Sequence, residues 1–153
     1  MPPNRILPDT CAWIDFFRGR QTPLAEMLGD SLMRAEVVTC GVVLYELLQG
    51  IKNQREEALL QNAFQALSHL EMTRELWISA GQLSAQLRSD GHTLPFSDIM
   101  IAAIALDSGS AILTIDRHFE AVPGLVIVSG PHQVRQFADR AGFLRWQTDE
   151  LDG

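Results

Sequence analysis

Along this chain, short apolar runs alternate with longer stretches whose apolar residues recur at helical spacing. Ile6-Leu7, ahead of Pro8-Asp9, predicts a short first strand, with a helix from about Thr10 to Arg18. A helix over Pro23–Met33 and a strand at Val37–Thr39 follow, and Gly41 to Gln49 predicts a helix that Gly50 can end. Leu59, Leu60, Ala63, Phe64 and Leu67 mark Asn53–Leu67 as amphipathic. A short strand near His69–Met72 and a helix over Glu75–Arg88 come next, closed by the turn residues Ser89-Asp90-Gly91-His92. Ser97 is placed to cap a helix running from Asp98 to about Asp107, with Gly109 at its end. Ala111–Thr114 and Leu125–Val128 predict two more strands, and Pro131 opens a predicted final helix carrying Val134, Phe137, Ala138 and Ala141 on one face.

Strands separated by helices favour a mainly parallel sheet covered on both faces and joined by right-handed crossovers. The expected fold is therefore α/β, a three-layer sandwich with a central sheet of about four to five strands. The functional crevice of such a sheet lies beyond the carboxyl ends of its strands. With 153 residues, no repeat and no Gly/Ser/Pro-rich linker, the chain suits one domain. Residues 1–130 are expected to form its body, and residues 131–153 a helix and acidic tail that pack on it or extend it. Two cysteines, Cys11 and Cys40, are too few for a disulfide-built scaffold and are expected as reduced, buried thiols. The apolar run Ile99 to Leu106 is far short of a membrane span, and the first residues carry no signal-peptide pattern, so a soluble cytoplasmic protein is expected.

Acids fall at the expected strand ends. Asp9 closely follows the first strand and Asp116 lies two residues beyond the strand Ala111–Thr114. Taken singly, either could be a helix N-cap. Glu46 is harder to explain that way, because it interrupts Val42-Val43-Leu44-Tyr45 and Leu47-Leu48. A lone carboxylate among apolar neighbours costs several kcal/mol to desolvate unless a cation compensates it. Asp98 stands in the first turn of an apolar helix, where the helix dipole alone would explain it. Ile99, Ala102, Ala103 and Leu106 form an apolar stripe with two small residues, so that helix can pack closely and bring Asp98 toward the strand-end acids. Carboxylates gathered in one crevice raise one another's pKa values, and Mg²⁺ or Mn²⁺ with oxygen ligands relieves the repulsion. The chemistry best served is phosphodiester hydrolysis, with Thr114 available to orient a water or phosphate oxygen.

Four segments carry a resemblance that spans about residues 5–130 in matching order and spacing. Ile6-Leu7-Pro8-Asp9-Thr10-Cys11-Ala12-Trp13-Ile14-Asp15-Phe16-Phe17-Arg18-Gly19 resembles the first motif of the PIN-domain ribonucleases. Leu44-Tyr45-Glu46-Leu47-Leu48 resembles the second, Phe96-Ser97-Asp98-Ile99-Met100-Ile101-Ala102-Ala103 the third, and Leu113-Thr114-Ile115-Asp116-Arg117-His118-Phe119 the fourth. Within that superfamily the compact chain is most similar to the VapC-type toxins of toxin–antitoxin pairs. The resemblance implies Asp9, Glu46, Asp98 and Asp116 as an acidic metal site supported by Thr114. It also implies Mg²⁺- or Mn²⁺-dependent cleavage of an RNA substrate to 5′-phosphate and 3′-hydroxyl ends, a homodimer, and inhibition by a cognate antitoxin protein. Many relatives carry a further acid two residues after the fourth-motif aspartate, where this chain has His118. The resemblance assigns the tail from Pro131 no role, and its helix is expected to serve packing or dimerisation.

His69, His92, His118 and His132 lack zinc-site spacing, and His118 is expected to be solvated or structural. Asp15 is expected on another face of the first helix, paired or facing solvent, and Trp13, Phe16 and Phe17 in the core. Arg18, Arg20, Arg55 and Arg117 could line an RNA approach, although scattered surface charge is the default reading. Two competing functions are a catalytically inactive PIN-like protein-binding module and a phosphoacceptor receiver-like domain. The intact acids argue against the first. The second needs a well-placed lysine, and Lys52 is the only one present.

The net charge of −7 argues against passive coating of nucleic acid, but not against an enzyme that meets RNA at a metal-charged crevice. Setting aside the four motif acids and Asp149, Glu150 and Asp152 of the tail leaves acids and bases in balance. Much of the acidity therefore belongs to the expected metal site.

Overall fold

The computed structural model describes residues 4–131 and the backbone of residues 133–136. Its strands are β1 (Arg5–Pro8), β2 (Glu36–Cys40), β3 (Ser68–Leu70), β4 (Ala111–Leu113), β5 (Val126–Gly130) and β6 (Gln133–Gln136). Its helices are α1 (Thr10–Phe17), α2 (Pro23–Arg34), α3 (Gly41–Gln49), α4 (Gln54–Gln65), α5 (Arg74–Ser89) and α6 (Phe96–Ser108), and a 3₁₀ turn spans Arg117–Ala121. The sheet runs β3-β2-β1-β4-β5-β6, with the first five strands parallel and β6 antiparallel at the edge.

This order decides where a site can form. The chain leaves β1 toward β2 on one side, while β4 lies against β1 on the other, in the register Leu7–Ile112 and Pro8–Leu113. The carboxyl ends of β1 and β4 therefore flank the switch point at which a doubly wound sheet opens a crevice. The crossover from β1 to β2 lays α2 against β2, β4 and β5. The return from β3 to β4 runs the opposite way along the sheet, so the right-handed rule carries α6 to β4 from the other face.

Local chemistry sets the helix ends. Thr22, Asn53 and Thr73 cap α2, α4 and α5 by accepting the backbone N–H of Ala25, Glu56 and Leu76. Gly109 ends α6 at φ 65°, a left-handed conformation that favours glycine. Gly130 allows close approach of β5 to α2, since a Cβ there would lie 2.9 Å from the Cβ of Pro23.

Most expected elements form within a residue or two of their predicted bounds, and the differences have physical causes. Gln133–Gln136 do not begin a helix: β6 pairs with the open edge of β5, whose hydrogen-bonding groups outweigh the helical spacing of the apolar residues. Phe137, Ala138, Ala141 and the remaining tail lie outside the described residues. Ser97 is not the cap of α6, because that helix starts at Phe96 after Pro95 and its cap makes no side-chain hydrogen bond. The helix is also no stripe. Every residue from Asp98 to Ala105 is buried, while Leu106, expected inside, is largely exposed. On α4, Leu60 and Phe64 enter the core while Leu59 stays out. No helix among the described residues is long and apolar enough to cross a membrane.

Candidate metal centre

Asp9 is the residue that leaves β1. Its backbone N–H donates to the carbonyl of Leu113 (3.0 Å), tying the ends of β1 and β4 together. One carboxylate oxygen caps α1 by accepting the Thr10 N–H (2.8 Å). The other accepts the hydroxyl of Thr114 (2.9 Å) and lies 3.8 Å from Cys11 Sγ. Asp9 thus caps α1 with one oxygen and turns the other toward Thr114. Asp9 is 7% exposed and Thr114 0%.

From this buried pair the remaining acids follow through hydrogen bonds. Thr114 Oγ1 accepts the N–H of Asp116 (3.0 Å), and Asp116 starts the 3₁₀ turn by accepting the N–H of His118 (2.9 Å). The ring of His118 reaches the N-terminal turn of α6, with Nδ1 2.9 Å from Asp98 Oδ2 and 3.2 Å from Asp116 Oδ1. On the other side, Thr10 Oγ1 donates to Glu46 Oε1 on α3 (3.0 Å). One continuous hydrogen-bonded chain therefore runs Glu46, Thr10, Asp9, Thr114, Asp116, His118, Asp98. All five residues singled out in the sequence lie along it.

Glu46 is half-buried: Val43 and Leu47 on the same helix are buried, while Tyr45 beside it is 68% exposed. Its tie to the other acids is the link to Asp9 through Thr10. His118, expected to be solvated or structural, joins Asp98 to Asp116. Its signal was its place two residues after Asp116, where a 3₁₀ turn returns the side chain to the same crevice. Thr10 was missed as well, and only the packing of α1 on α3 reveals its role.

Burial and mutual repulsion raise the carboxyls of Asp9, Glu46 and Asp98 above their ordinary values. Burial pushes the carboxyl of Asp9 up, and the charge of Asp116 adds to it against the opposing bonds from Thr114 and Thr10. Burial likewise raises Glu46, with a contribution from Asp9. Asp98 is pushed up to about 6, first by burial and then by Asp116, despite the bond from His118. Burial also raises the thiols of Cys11 and Cys40, so neither offers a thiolate.

A hard divalent ion fits this donor set. Asp98, Asp116 and His118 each offer a ligand atom, all within 4.8 Å of one another. The remaining donors nearby are carboxylate and hydroxyl oxygens, and a cation would remove the repulsion that raises the carboxyl pKa values. Beyond Glu46 a groove of about 400 Å³ opens between α1, α3 and α4, with Arg18 and Lys52 on its walls. Arg20 is held instead by Asp15 at 3.0 Å, which gives Asp15 its expected partner. Trp13 is buried as expected, its ring 4.9 Å from that of Phe64, whereas Phe17 is exposed at the groove.

A family model described as PIN domain matches residues 6–125. A Mycobacterium tuberculosis protein named Ribonuclease VapC19 is 30% identical over 123 residues, covering 78% of this chain and 95% of that protein. The structure of DNA-bound VapBC from Salmonella typhimurium is similar, with TM-score 0.68 and 25% identity over 84% of this chain and 98% of that one. So is VapBC2 from Rickettsia felis bound to a promoter DNA fragment, with TM-score 0.69 and 17% identity over 81% and 97% of the two chains.

Proposed function

The chain belongs to the PIN-domain family, and from that premise we propose that it is an endoribonuclease and the toxin of a toxin–antitoxin pair. The observation that carries this reading is the hydrogen-bonded chain uniting Asp9, Glu46, Asp98 and Asp116 at the switch point between β1 and β4. We assign those four carboxylates to a Mg²⁺ or Mn²⁺ centre. A bound divalent ion supplies charge neutralisation at a scissile phosphate and lowers the pKa of an attacking water.

The chain's own residues do the positioning. Thr114 is fully buried and donates to Asp9 while accepting from the backbone of Asp116, so one hydroxyl fixes the spacing of two acids. Thr10 does the same for Asp9 and Glu46, through its backbone N–H and its hydroxyl. Arg18 and Lys52, on the groove that leads from Glu46, are placed to meet the phosphates of an entering RNA strand.

The partner reading follows from the relatives. Similar folds are solved as VapBC toxin–antitoxin complexes, some on DNA, and we assign this chain a cognate antitoxin, a homodimeric state and a cytoplasmic location. Incubation of the purified protein with RNA and Mg²⁺ or Mn²⁺ tests the central claim. Cleavage leaving 5′-phosphate ends, stopped by EDTA and by Asp98→Asn, is expected. Cleavage that survives both would overturn the metal-centre assignment.

A further inference from the structure

His118 touches both outer carboxylates of the centre. We propose that His118 is a nitrogen ligand of this centre, and that the resulting imidazole-plus-carboxylate donor set makes it favour Mn²⁺ over Mg²⁺. The inference rests on the metal-centre reading above and deepens it.

Three observations carry it. First, Nδ1 lies 2.9 Å from Asp98 Oδ2 and 3.2 Å from Asp116 Oδ1. Neighbouring ligands of an octahedral ion bound at about 2.1 Å stand about 3 Å apart, so these separations match edges of such a polyhedron. They are also hydrogen-bond lengths, so the three groups already stand together at one place. Second, the backbone fixes the ring's approach. The His118 N–H donates to Asp116 Oδ1 at 2.9 Å, so the carboxylate that shares the donor set also anchors the turn presenting the imidazole. Third, the His118 side chain is 54% exposed, so the ring stands at the open side of the crevice, where a cation can reach it.

Donor chemistry then sets the preference. Mg²⁺ keeps oxygen ligands and sheds water reluctantly, whereas imidazole suits first-row transition ions. An all-carboxylate version of the same pocket would lose that discrimination. Among the other histidines described, His69 lies 3.7 Å from Glu71 and His92 is exposed in the turn after α5, so neither shares this crevice.

The full chain, His118→Asp and His118→Asn are titrated with Mn²⁺ and separately with Mg²⁺ by calorimetry. Their Mn²⁺ complexes are then recorded by pulsed EPR for ¹⁴N modulation from a directly bonded imidazole. The modulation is expected in the unaltered protein and absent from both variants. The Mn²⁺-to-Mg²⁺ affinity ratio is expected to fall by about tenfold or more in His118→Asp, as ligand-environment changes at metal sites commonly do. Bound Mn²⁺ without ¹⁴N modulation, modulation that persists in His118→Asn, or an unchanged ratio in His118→Asp overturns the His118 assignment and leaves an acidic centre in place. Failure of both ions to bind the unaltered protein overturns the metal-centre reading itself, and this inference with it.

Discussion

Asp9 and Thr114 sit directly at the carboxyl ends of two paired strands, almost fully buried and held by backbone and hydroxyl hydrogen bonds. Asp98, Asp116 and His118 meet differently, across the first turn of α6 and a 3₁₀ turn, with a half-exposed imidazole closing the triangle. The inner half inherits its geometry from the sheet, because neighbouring parallel strands fix where their ends lie. The outer half depends on two elements from separate parts of the chain arriving at one place. The inner half should therefore govern how well the acids are held, and the outer half how the centre responds to cations and protons.

The largest effect expected is on activity. Asp98→Asn removes the outer charge at nearly constant volume and should lower RNA cleavage by on the order of 10²-fold or more, measured as initial rates with Mg²⁺ or Mn²⁺. In EDTA near neutral pH the same variant should melt at a higher temperature than the parent, because a buried, repelled carboxylate has gone. A lower melting temperature would show that Asp98 is a structural partner, as the inner acids are.

Thr114→Val probes the inner half. It preserves shape but strips Asp9 of a donor and the Asp116 N–H of its acceptor, so a loss of about 1–3 kcal/mol is expected in urea unfolding. Thr114→Ser should recover most of it. If valine is neutral, the inner hydroxyl is not what holds the acids.

The third expectation concerns pH. Asp98 has its carboxyl raised from an ordinary 3.8 to about 6, so between those values the folded chain binds more protons than the unfolded chain. Stability in EDTA should therefore fall as pH rises from about 5 to 7, by on the order of 1 kcal/mol, and level off above. Asp9 and Glu46 are shifted in the same direction and add to the slope. Asp98→Asn should flatten this profile, and a profile that rises with pH would contradict the burial argument.

The smallest effect is a control at the opposite end of β4. Gly109→Ala forces a side chain into a left-handed φ of 65° and should cost about 1 kcal/mol. RNA cleavage should be unchanged, since both halves of the crevice lie at the other end of the strand. A drop in cleavage as large as that of Asp98→Asn would mean that activity follows global stability, and the distinction between the halves would fail.

How much of this was legible depended on whether a residue's role is local. Asp9 and Asp116 could be placed because strand ends are marked by short apolar runs and the crevice of a parallel sheet lies at those ends. Gly109 was legible because a single residue's backbone freedom ends a helix. Glu46 was legible only in part, since apolar letters on both sides of it do not say which face of α3 is covered: Val43 and Leu47 are buried, while Tyr45 is exposed. Gln133–Gln136 were misread because their helical spacing says nothing of the open edge of β5 beside them. Leu106 was misread for a related cause: α6 is buried along most of its length, so periodicity carried little information about its ends.

The linear order of residues by itself determined the alternation of strands and helices, the acids at the strand ends and the family motifs, because each is set by neighbours a few positions away. Only the tertiary structure decided that Thr10 reaches Glu46, and that His118 joins Asp98 to Asp116 across 20 residues of chain. Those contacts depend on which helix crosses which strand end. That is a property of packing, where side-chain volume and crossover direction outweigh any local pattern.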